Sequence, residues 1–600
     1  MVLERDTGHA VVQLALDDTV PIPITEIMSS QPDQPRFFQV MQHITGECLV
    51  PFLDQQDVGA LYSTSKLWKP SSLGLGSLRH MTLSTWGPTA FTLTSPAHLQ
   101  TLTVKMNYVL LGTRVWEHMP DLVDLRRLTI SGQDVQMMPY PHPGQNNPAR
   151  HATHVHMDSF IILGTTVAFL QTFPYLQELR LRGCFLMDVE TMVQVALSLR
   201  TLPYLDTIDI GDLQCLPDLL ARVLDALATG SNTSTNATAP TCPLRRLVMD
   251  NALHRMFDDV EWAGWRVLPM EGAIVSVSRC VRAFANTLQH LDMAGWGMTR
   301  ISATTLMQSL SSTTSPVQLD LRPRTMSSAF PVRDGHGISW TVSCPVQSLA
   351  VASIDVPSFD GSTTLRELCI SGGLHMYTAM HGNVFMHLHK LDLSGCVFLD
   401  GGFLTILASN FPTTIRHLSM SRCVEGAMAR GAVLSFFIQL PSSTSLEMLD
   451  LADLRLQPSV QYIELHLAHS LRPLRLHDLR LGHLGLDLRQ FFKIDFFPTT
   501  LRHLDLRHRD GAGGVPLHKH LQMVGSVLPD LPELVCLAIT MDRRPSEATR
   551  SLDVLLGMGS NSLSSLLLDT SSETISACAR HLGSIAGKVP RLQSCAIRLY

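Results

Sequence analysis

The chain has 600 residues, too many for one ordinary hydrophobic core, so either several domains or one elongated repeat array is expected. Hydrophobic residues make up 45% of the sequence and charged residues 16%, a balance that excludes a largely disordered chain. The formal net charge of −6 provides no overall attraction for nucleic acid or for an anionic membrane, so neither is expected as a partner.

The start of the chain and the cysteine pattern bear on where the protein acts. The first residues, MVLERDTGHA, lack the basic and then apolar layout of a secretory signal. The longest apolar stretch, around Phe160–Leu170, is too short to span a bilayer. The 12 cysteines are scattered and form no CxxC pair, which favours reduced thiols over disulfides or zinc sites. We therefore expect a cytoplasmic and/or nuclear protein.

The chain before residue 73 does not follow the repeat described below. Residues 1–36 are predicted to be irregular or partly disordered, and a short helical module is predicted over residues 37–72. The apolar spacing from Leu49 to Leu61 favours two short helices, with Asp54 or Asp57 placed to cap the second. Trp68 closes this segment.

The segment Glu47–Trp68 resembles the second half of an F-box, with its leucine–aspartate turn, aspartate–valine pair and closing tryptophan. The resemblance implies docking to the small adaptor subunit of a cullin-RING ubiquitin ligase. The usual Leu-Pro opening is missing, and a plain helical cap that shields the first repeat is the alternative interpretation. The residues that the resemblance assigns to the adaptor contact are Leu49, Leu53, Asp57, Val58, Leu61 and Trp68.

From residue 73 to residue 600 the motif L-x-x-L-x-L recurs, with Ile, Val or Met as variants. Between Leu365 and Leu592 it returns about every 28 residues, a length typical of leucine-rich repeats. The second and third apolar positions lie two residues apart, which places both on one side of a short strand. The pattern predicts an α/β leucine-rich-repeat solenoid, with parallel strands on the concave side and helices on the convex side.

Three stretches break the repeat and are predicted to be insertion loops, near residues 134–158, 230–243 and 311–345. The first contains Tyr140–His156, which is rich in Pro, His and Asn. The second is low in sequence complexity, and the third contains no good repeat and many Ser, Thr and Pro residues. Loops of this kind leave a solenoid at the strand ends.

Cys184, Cys396 and Cys423 each lie eight residues after the first apolar residue of a repeat. A small, weakly hydrogen-bonding side chain is expected there, where the strand turns inward. The segment LHKLDLSGCVFLDGGFL from Leu388 to Leu404 resembles the cysteine-containing class of leucine-rich repeats. That class is found largely in ubiquitin-ligase adaptors.

No phosphate-binding loop, G-x-S-x-G or H-E-x-x-H motif occurs. His151, His154 and His156 could together bind zinc, but no carboxylate or cysteine completes the set in sequence, so a solvated loop is predicted. No catalytic residue, metal or cofactor is expected.

Polar side chains four residues after the first leucine are expected to project from the concave face. A protein target is predicted to contact Arg180, Asp209, Asp292, Asp392, Asp450, Arg480 and Asp505.

The sequence therefore predicts a non-catalytic interaction protein. The resemblance to F-box proteins implies a substrate-recognition subunit of an SCF-type ubiquitin ligase. The alternative is a leucine-rich-repeat scaffold or sensor without a ligase link.

Overall fold

The computed structural model describes the following residues: 2–6, 9–15, 80–84, 99–106, 121–137, 147–186, 189–213, 215, 217–229, 242–250, 271–296, 300–322, 341–342, 346–352, 358–359, 365–374, 387–429, 431–440, 444–455, 467, 469–471, 473–482, 497–507, 524, 527–541, 544–557, 563–570, 574, 577–578, 581–582 and 594–599. The predicted helical module, with Leu49, Leu53, Asp57, Val58, Leu61 and Trp68, lies outside these residues.

The described strands are β1 Val2–Asp6, β2 His9–Ala15, β3 His80–Ser84, β4 Thr101–Met106, β5 Arg127–Met137, β6 His154–Ile162, β7 Glu178–Arg182, β8 Phe185–Leu186, β9 Thr207–Asp209, β10 Arg246–Val248, β11 His290–Asp292, β12 Val317–Asp320, β13 Thr341–Val342, β14 Val346–Ala352, β15 Ser358–Phe359, β16 Glu367–Ser371, β17 Gly373–Leu374, β18 Lys390–Asp392, β19 Val397–Asp400, β20 His417–Ser419, β21 Val424–Met428, β22 Met448–Asp450, β23 Asp478–Arg480, β24 His503–Asp505, β25 Cys536–Thr540, β26 Ser565–Thr570 and β27 Ser594–Leu599.

The described helices are α1 Gly164–Leu170, α2 Val189–Arg200, α3 Pro217–Thr229, α4 Glu271–Ala283, α5 Arg300–Leu310, α6 Gly402–Ser409, α7 Ala432–Gln439 and α8 Pro545–Gly557, with a 3₁₀ turn at Leu528–Asp530. None of the helices in the described part of the chain is long and apolar enough to cross a membrane.

The chain divides into two compact units. The N-terminal unit comprises Pro23–Leu349 and Phe359–Thr364. The C-terminal unit comprises Met1–Ile22, Ala350–Ser358 and Leu365–Tyr600.

In the N-terminal unit, one parallel ladder joins β3, β4, β5, β6, β7, β9, β10, β11 and β12 in that order. The second apolar position of each repeat is aligned with the same position of the next, as with Leu179 and Ile208. Side chains alternate between the two faces of a strand. Leu179 and Leu181 are therefore buried in the core, while Glu178, Arg180 and Arg182 lie on the opposite face.

Two strands of this ladder begin inside stretches that were predicted to be loops. β6 starts within the Tyr140–His156 segment, and β12 lies within Ser311–Ser343. Alanine takes the first apolar position of one repeat, at Ala152, which is fully buried. In the other, Pro316 stands three residues before Leu319, where the pattern has leucine. Both stretches therefore contribute repeats, although they lack the leading leucine.

The C-terminal unit contains the same kind of ladder, which runs β16, β18, β20, β22, β23, β24, β25, β26 and β27. A second, short parallel sheet of β17, β19 and β21 forms where three successive repeats leave the main ladder. β1 and β2 form an antiparallel hairpin, and β2 pairs antiparallel with β27. The two strands of the hairpin lie within residues 1–36, the segment predicted to be irregular or partly disordered.

Successive helices pack against one another within each unit. α2, α3, α4 and α5 contact one another in sequence, and α6 contacts α7. The apolar faces of α6 and α7 are buried, including Phe403, Leu404, Phe436 and Phe437. Parallel strands in register, with a leucine-lined core between strands and helices, constitute an α/β leucine-rich-repeat fold.

Candidate functional site: the strand face

The aspartates predicted to contact a partner have a local structural role. Each lies at the end of its strand, and its Oδ1 accepts a hydrogen bond from the backbone N–H two residues later, as in an Asx turn. The pairs are Asp209 with Gly211 (3.0 Å), Asp292 with Ala294 (2.9 Å), Asp392 with Ser394 (2.9 Å), Asp450 with Ala452 (3.0 Å) and Asp505 with Arg507 (3.0 Å).

The same turn explains where the backbone adopts the left-handed region. Three residues after four of these aspartates, φ is positive: 53° at Asp212, 87° at Gly295, 76° at Gly395 and 58° at Asp453. Only glycine and a few polar residues adopt this conformation readily. The strand therefore ends in a fixed motif, in which aspartate closes the turn and a left-handed residue directs the chain towards the helix side.

Arg180 and Arg480, the two predicted contact residues that are not aspartates, project further into solvent. Their side chains are 40% and 44% exposed. The Arg480 guanidinium donates to both carboxylate oxygens of Asp478, at 3.3 and 3.2 Å. Burial alone would lower the pKa of Arg480, but this hydrogen bond and the charge of Asp478 raise it above its ordinary value. These two residues offer the exposed charge of the predicted set.

Among the described residues on the face of the N-terminal unit, Arg182 contacts three carboxylates, and the sequence prediction did not include it. Its guanidinium contacts Asp209 (2.9 Å), Asp212 (3.5 Å) and Asp250 (2.7 Å). Asp209 is 6% exposed and Asp250 is fully buried. A Cβ at Gly211 would overlap the Asp250 carboxylate, so glycine leaves the space that this ion pair occupies. Arg182 thus ties three successive repeats together.

His154 and His156 lie on strand β6 rather than on the solvated loop that was predicted. Both rings approach Glu178 of the next strand, with Nε2 to carboxylate distances of 3.9 Å for His154 and 3.0 Å for His156. Their carboxylate partner comes from the neighbouring repeat, which linear spacing does not reveal. No group of His, Cys, Asp and Glu within the described ranges could hold a metal ion.

The His156–Glu178 contact predicts acid-dependent stability. The hydrogen bond from His156 lowers the pKa of Glu178 from 4.5 to about 2, although burial opposes the shift. A carboxyl group with a depressed pKa contributes stability above its ordinary pKa, and loses it as the pH falls through its folded value. Glu178→Gln should therefore reduce the free energy of unfolding at neutral pH, by an amount on the order of 2 kcal/mol.

Urea unfolding of both proteins across a pH series measures this difference. It should shrink as the pH drops from about 4.5 towards about 2 and vanish below that, because both proteins then carry a neutral side chain. A difference that stays constant over the whole range would contradict the assignment.

The three cysteines eight residues after the first apolar residue of their repeats lie buried where the strand turns inward. Each is fully buried, and each thiol donates to a backbone carbonyl of the preceding repeat. The pairs are Cys184 with Met157 (3.3 Å), Cys396 with Ile370 (2.9 Å) and Cys423 with Leu393 (2.9 Å). All three acceptors hold the third apolar position of their repeat. The cysteine therefore joins neighbouring repeats through one hydrogen bond.

Burial also makes these thiols unreactive. It raises the pKa of Cys184 and of Cys423 to about 12, and it raises the pKa of Cys396 as well. Because the thiolate is the reactive form, iodoacetamide at about pH 8 should leave all three unmodified in the native protein and label them in urea. Peptide mass mapping measures the labelling; rapid alkylation without denaturant would contradict this packing.

Trp296 occupies the cysteine position of its own repeat, eight residues after Leu288. Its side chain is 5% exposed, and its indole Nε1 donates to the carbonyl of Met249 at 2.7 Å. The acceptor again holds the third apolar position of the preceding repeat. This position therefore keeps a hydrogen-bond donor although tryptophan replaces cysteine. The cysteine pattern of the sequence could not indicate this replacement.

A second charged group lies on the face of the C-terminal unit. The Arg507 guanidinium donates to both oxygens of Asp505 (2.6–3.0 Å) and approaches Asp569 at 3.6 Å. Asp450, two strands from Asp505, has a pKa raised above its ordinary value, chiefly by burial. Asp505, one of the predicted contact residues of this unit, is therefore part of an ionic group that reaches across its strands.

No protein-family model matches the sequence, and no curated protein matches it significantly. Among solved structures, the leucine-rich-repeat protein LegL7 from Legionella pneumophila is 15% identical, with 51% of this chain and 93% of that chain covered and a TM-score of 0.30.

Two further structures are similar at the same level. One is an octameric complex of Latrophilin 3, Unc5D and the leucine-rich repeats of FLRT2, at 11% identity, 64% and 86% coverage and a TM-score of 0.25. The other is an internalin from Listeria monocytogenes, at 12% identity, 70% and 80% coverage and a TM-score of 0.22. The strand register and buried leucines of this chain identify the fold of its described part as that of leucine-rich-repeat proteins.

Proposed function

We propose that the chain is a non-catalytic interaction protein that holds a partner protein against the strand face of its repeats. The observation that carries the proposal is the row of charged side chains across the in-register strands, with Arg180 and Arg480 the most exposed of the predicted set. Nine strands at about 4.8 Å spacing give the ladder of the C-terminal unit a width of about 40 Å. A surface of this size suits a protein better than a small molecule.

Charge reversal on the face tests this proposal. Arg180→Glu and Arg480→Glu, in the full chain, should each weaken capture of cross-linked partners from the native cell type. Arg544→Glu is the control, because Arg544 lies in the turn before α8 and is 77% exposed. Loss of the same partners in all three variants, or in none, would count against binding by the strand face.

The finer proposal is that the chain is the substrate-recognition subunit of an SCF-type ubiquitin ligase. The F-box-like residues Glu47–Trp68 support it, and so does the thiol cysteine of the repeats, which resembles that of ligase adaptors. The helical module would bind the adaptor subunit, and the repeats would keep the target close to the conjugating enzyme. Such a protein would act in the cytoplasm or the nucleus.

Co-purification of the full chain with the small adaptor subunit tests the ligase proposal. Binding that is lost with Leu53→Asp or Trp68→Ala, and kept with Arg544→Glu, would support it. No binding by the unaltered chain would favour the alternative, a leucine-rich-repeat scaffold or sensor. A scaffold or sensor would also bind its partner through the strand face. The capture experiment therefore tests partner binding, and the co-purification tests the ligase link.

A further inference from the structure

An exposed aromatic pair lies at one edge of the strand face in the N-terminal unit. Tyr175 and Tyr204 each precede the first leucine of their repeats, and they are 51% and 54% exposed. Their ring centroids are 6.2 Å apart, at an interplanar angle of 34°. Two neighbouring tyrosines that remain half in water offer apolar surface together with polar tips, which is typical of contact hot spots.

Four exposed arginines flank this pair: Arg126, Arg127, Arg245 and Arg246. Their position follows from a chain of backbone hydrogen bonds across successive repeats. Thr153 N–H donates to Arg126, Gln177 to Thr153, Asp206 to Gln177 and Arg245 to Asp206, all at 2.7–2.9 Å. With about 4.8 Å between strands, the repeat of Arg126 and Arg127 lies about 10 Å from that of Tyr175, and the repeat of Arg245 and Arg246 lies about 5 Å from that of Tyr204. We call these six residues the tyrosine–arginine rim.

The six rim residues comprise four arginines and no carboxylate. Within the described residues, none of the four guanidinium groups forms an ion pair with a carboxylate. The nearby Asp206 carboxylate accepts a hydrogen bond from the Thr207 hydroxyl. In the C-terminal unit, two of the arginines at the same repeat position pair with a glutamate: Arg416 with Glu447 at 3.1 Å and Arg502 with Glu533 at 3.4 Å.

We propose that the tyrosine–arginine rim binds an acidic segment of the partner protein. An apolar side chain of that segment would cover the tyrosine rings, and its carboxylates would contact the arginines on either side. Aromatic and arginine side chains are the types enriched in protein interfaces, and complementary charge selects an acidic partner. The inference rests on the proposed function and specifies where the strand face binds and what it recognises.

Peptide selection on the full chain tests the rim directly. A phage-displayed library of random peptides of about ten residues is the probe. The selected peptides should carry Asp or Glu on both sides of an apolar residue. Their Kd, from fluorescence anisotropy, should rise at least about tenfold in Tyr175→Ala/Tyr204→Ala and in Arg245→Glu/Arg246→Glu. The control Arg416→Ala/Arg502→Ala removes paired arginines and should leave the Kd unchanged.

Charge reversal gives the sharpest outcome. Peptides with Lys in place of their acidic residues should bind Arg245→Glu/Arg246→Glu better than they bind the unaltered chain. Neutral or basic selected peptides, or equal effects in rim and control variants, would overturn the inference. So would a single-stranded oligothymidylate that binds through the tyrosines when acidic peptides do not. None of these outcomes would decide the proposed function, which is tested separately by partner capture with Arg180→Glu and Arg480→Glu.

Discussion

Arg182→Ala is expected to destabilise the N-terminal unit by about 3 to 5 kcal/mol. The guanidinium is bonded to Asp209 and Asp250, whose side chains are 6% and 0% exposed. The substitution takes the guanidinium away from the fully buried Asp250 and from Asp209, which keeps Arg180 at 3.2 Å. The loss of a cationic partner by a carboxylate that water hardly reaches costs more than the loss of an exposed contact. Urea unfolding followed by circular dichroism should show an earlier transition for this variant.

Arg180→Ala is the matched control. Arg180 also contacts Asp209, at 3.2 Å, and Glu178, at 3.2 Å, but its side chain is 40% exposed. Water can replace these contacts, so the expected loss is below about 1 kcal/mol. Adding Asp250→Asn to Arg182→Ala should recover part of the stability, because it removes the charge of the fully buried carboxylate that has lost the Arg182 guanidinium. If Arg182→Ala and Arg180→Ala lower the free energy of unfolding equally, burial of the carboxylates does not determine the size of the loss.

Much of the fold follows from the sequence, because leucine spacing reports which side of a strand is buried. The second and third apolar positions, such as Leu391 and Leu393, are buried as predicted and align between repeats. The pattern fails where another residue takes the leading position. The repeats of β6 and β12 begin with Ala152 and Pro316, so a search for a leading leucine misses them. They are recognised as repeats because β6 and β12 pair in register with the neighbouring strands.

The strand face was less predictable than the fold. Arg180 and Arg480 have side chains that are 40% and 44% exposed, whereas the aspartates close turns, and contact of all seven residues with a partner stays a prediction. The spacing of aspartate and a left-handed residue three positions later, as in Asp392 and Gly395, could have indicated this turn. The Arg182–Asp250 pair joins residues 68 positions apart, and only the stacking of repeats brings them together.

Trp296→Ala is expected to cost about 3 to 5 kcal/mol, because it removes a large side chain that is 5% exposed and leaves a cavity. Trp296→Phe separates packing from hydrogen bonding. It retains most of the apolar volume but leaves the Met249 carbonyl without the indole donor, so a loss of about 1 to 3 kcal/mol is expected. Urea unfolding of the three proteins measures both terms.

The order of these losses tests whether Trp296 replaces the cysteine of other repeats. Cys396→Ala removes a thiol that donates to Ile370 at 2.9 Å, the equivalent contact between repeats, and leaves a smaller cavity. It should cost less than Trp296→Ala, because fewer buried atoms are removed. If Trp296→Phe is as stable as the unaltered chain, the indole N–H contributes nothing to joining the repeats. Trp296 would then match the cysteine in position alone, and the contact between these repeats would depend on packing.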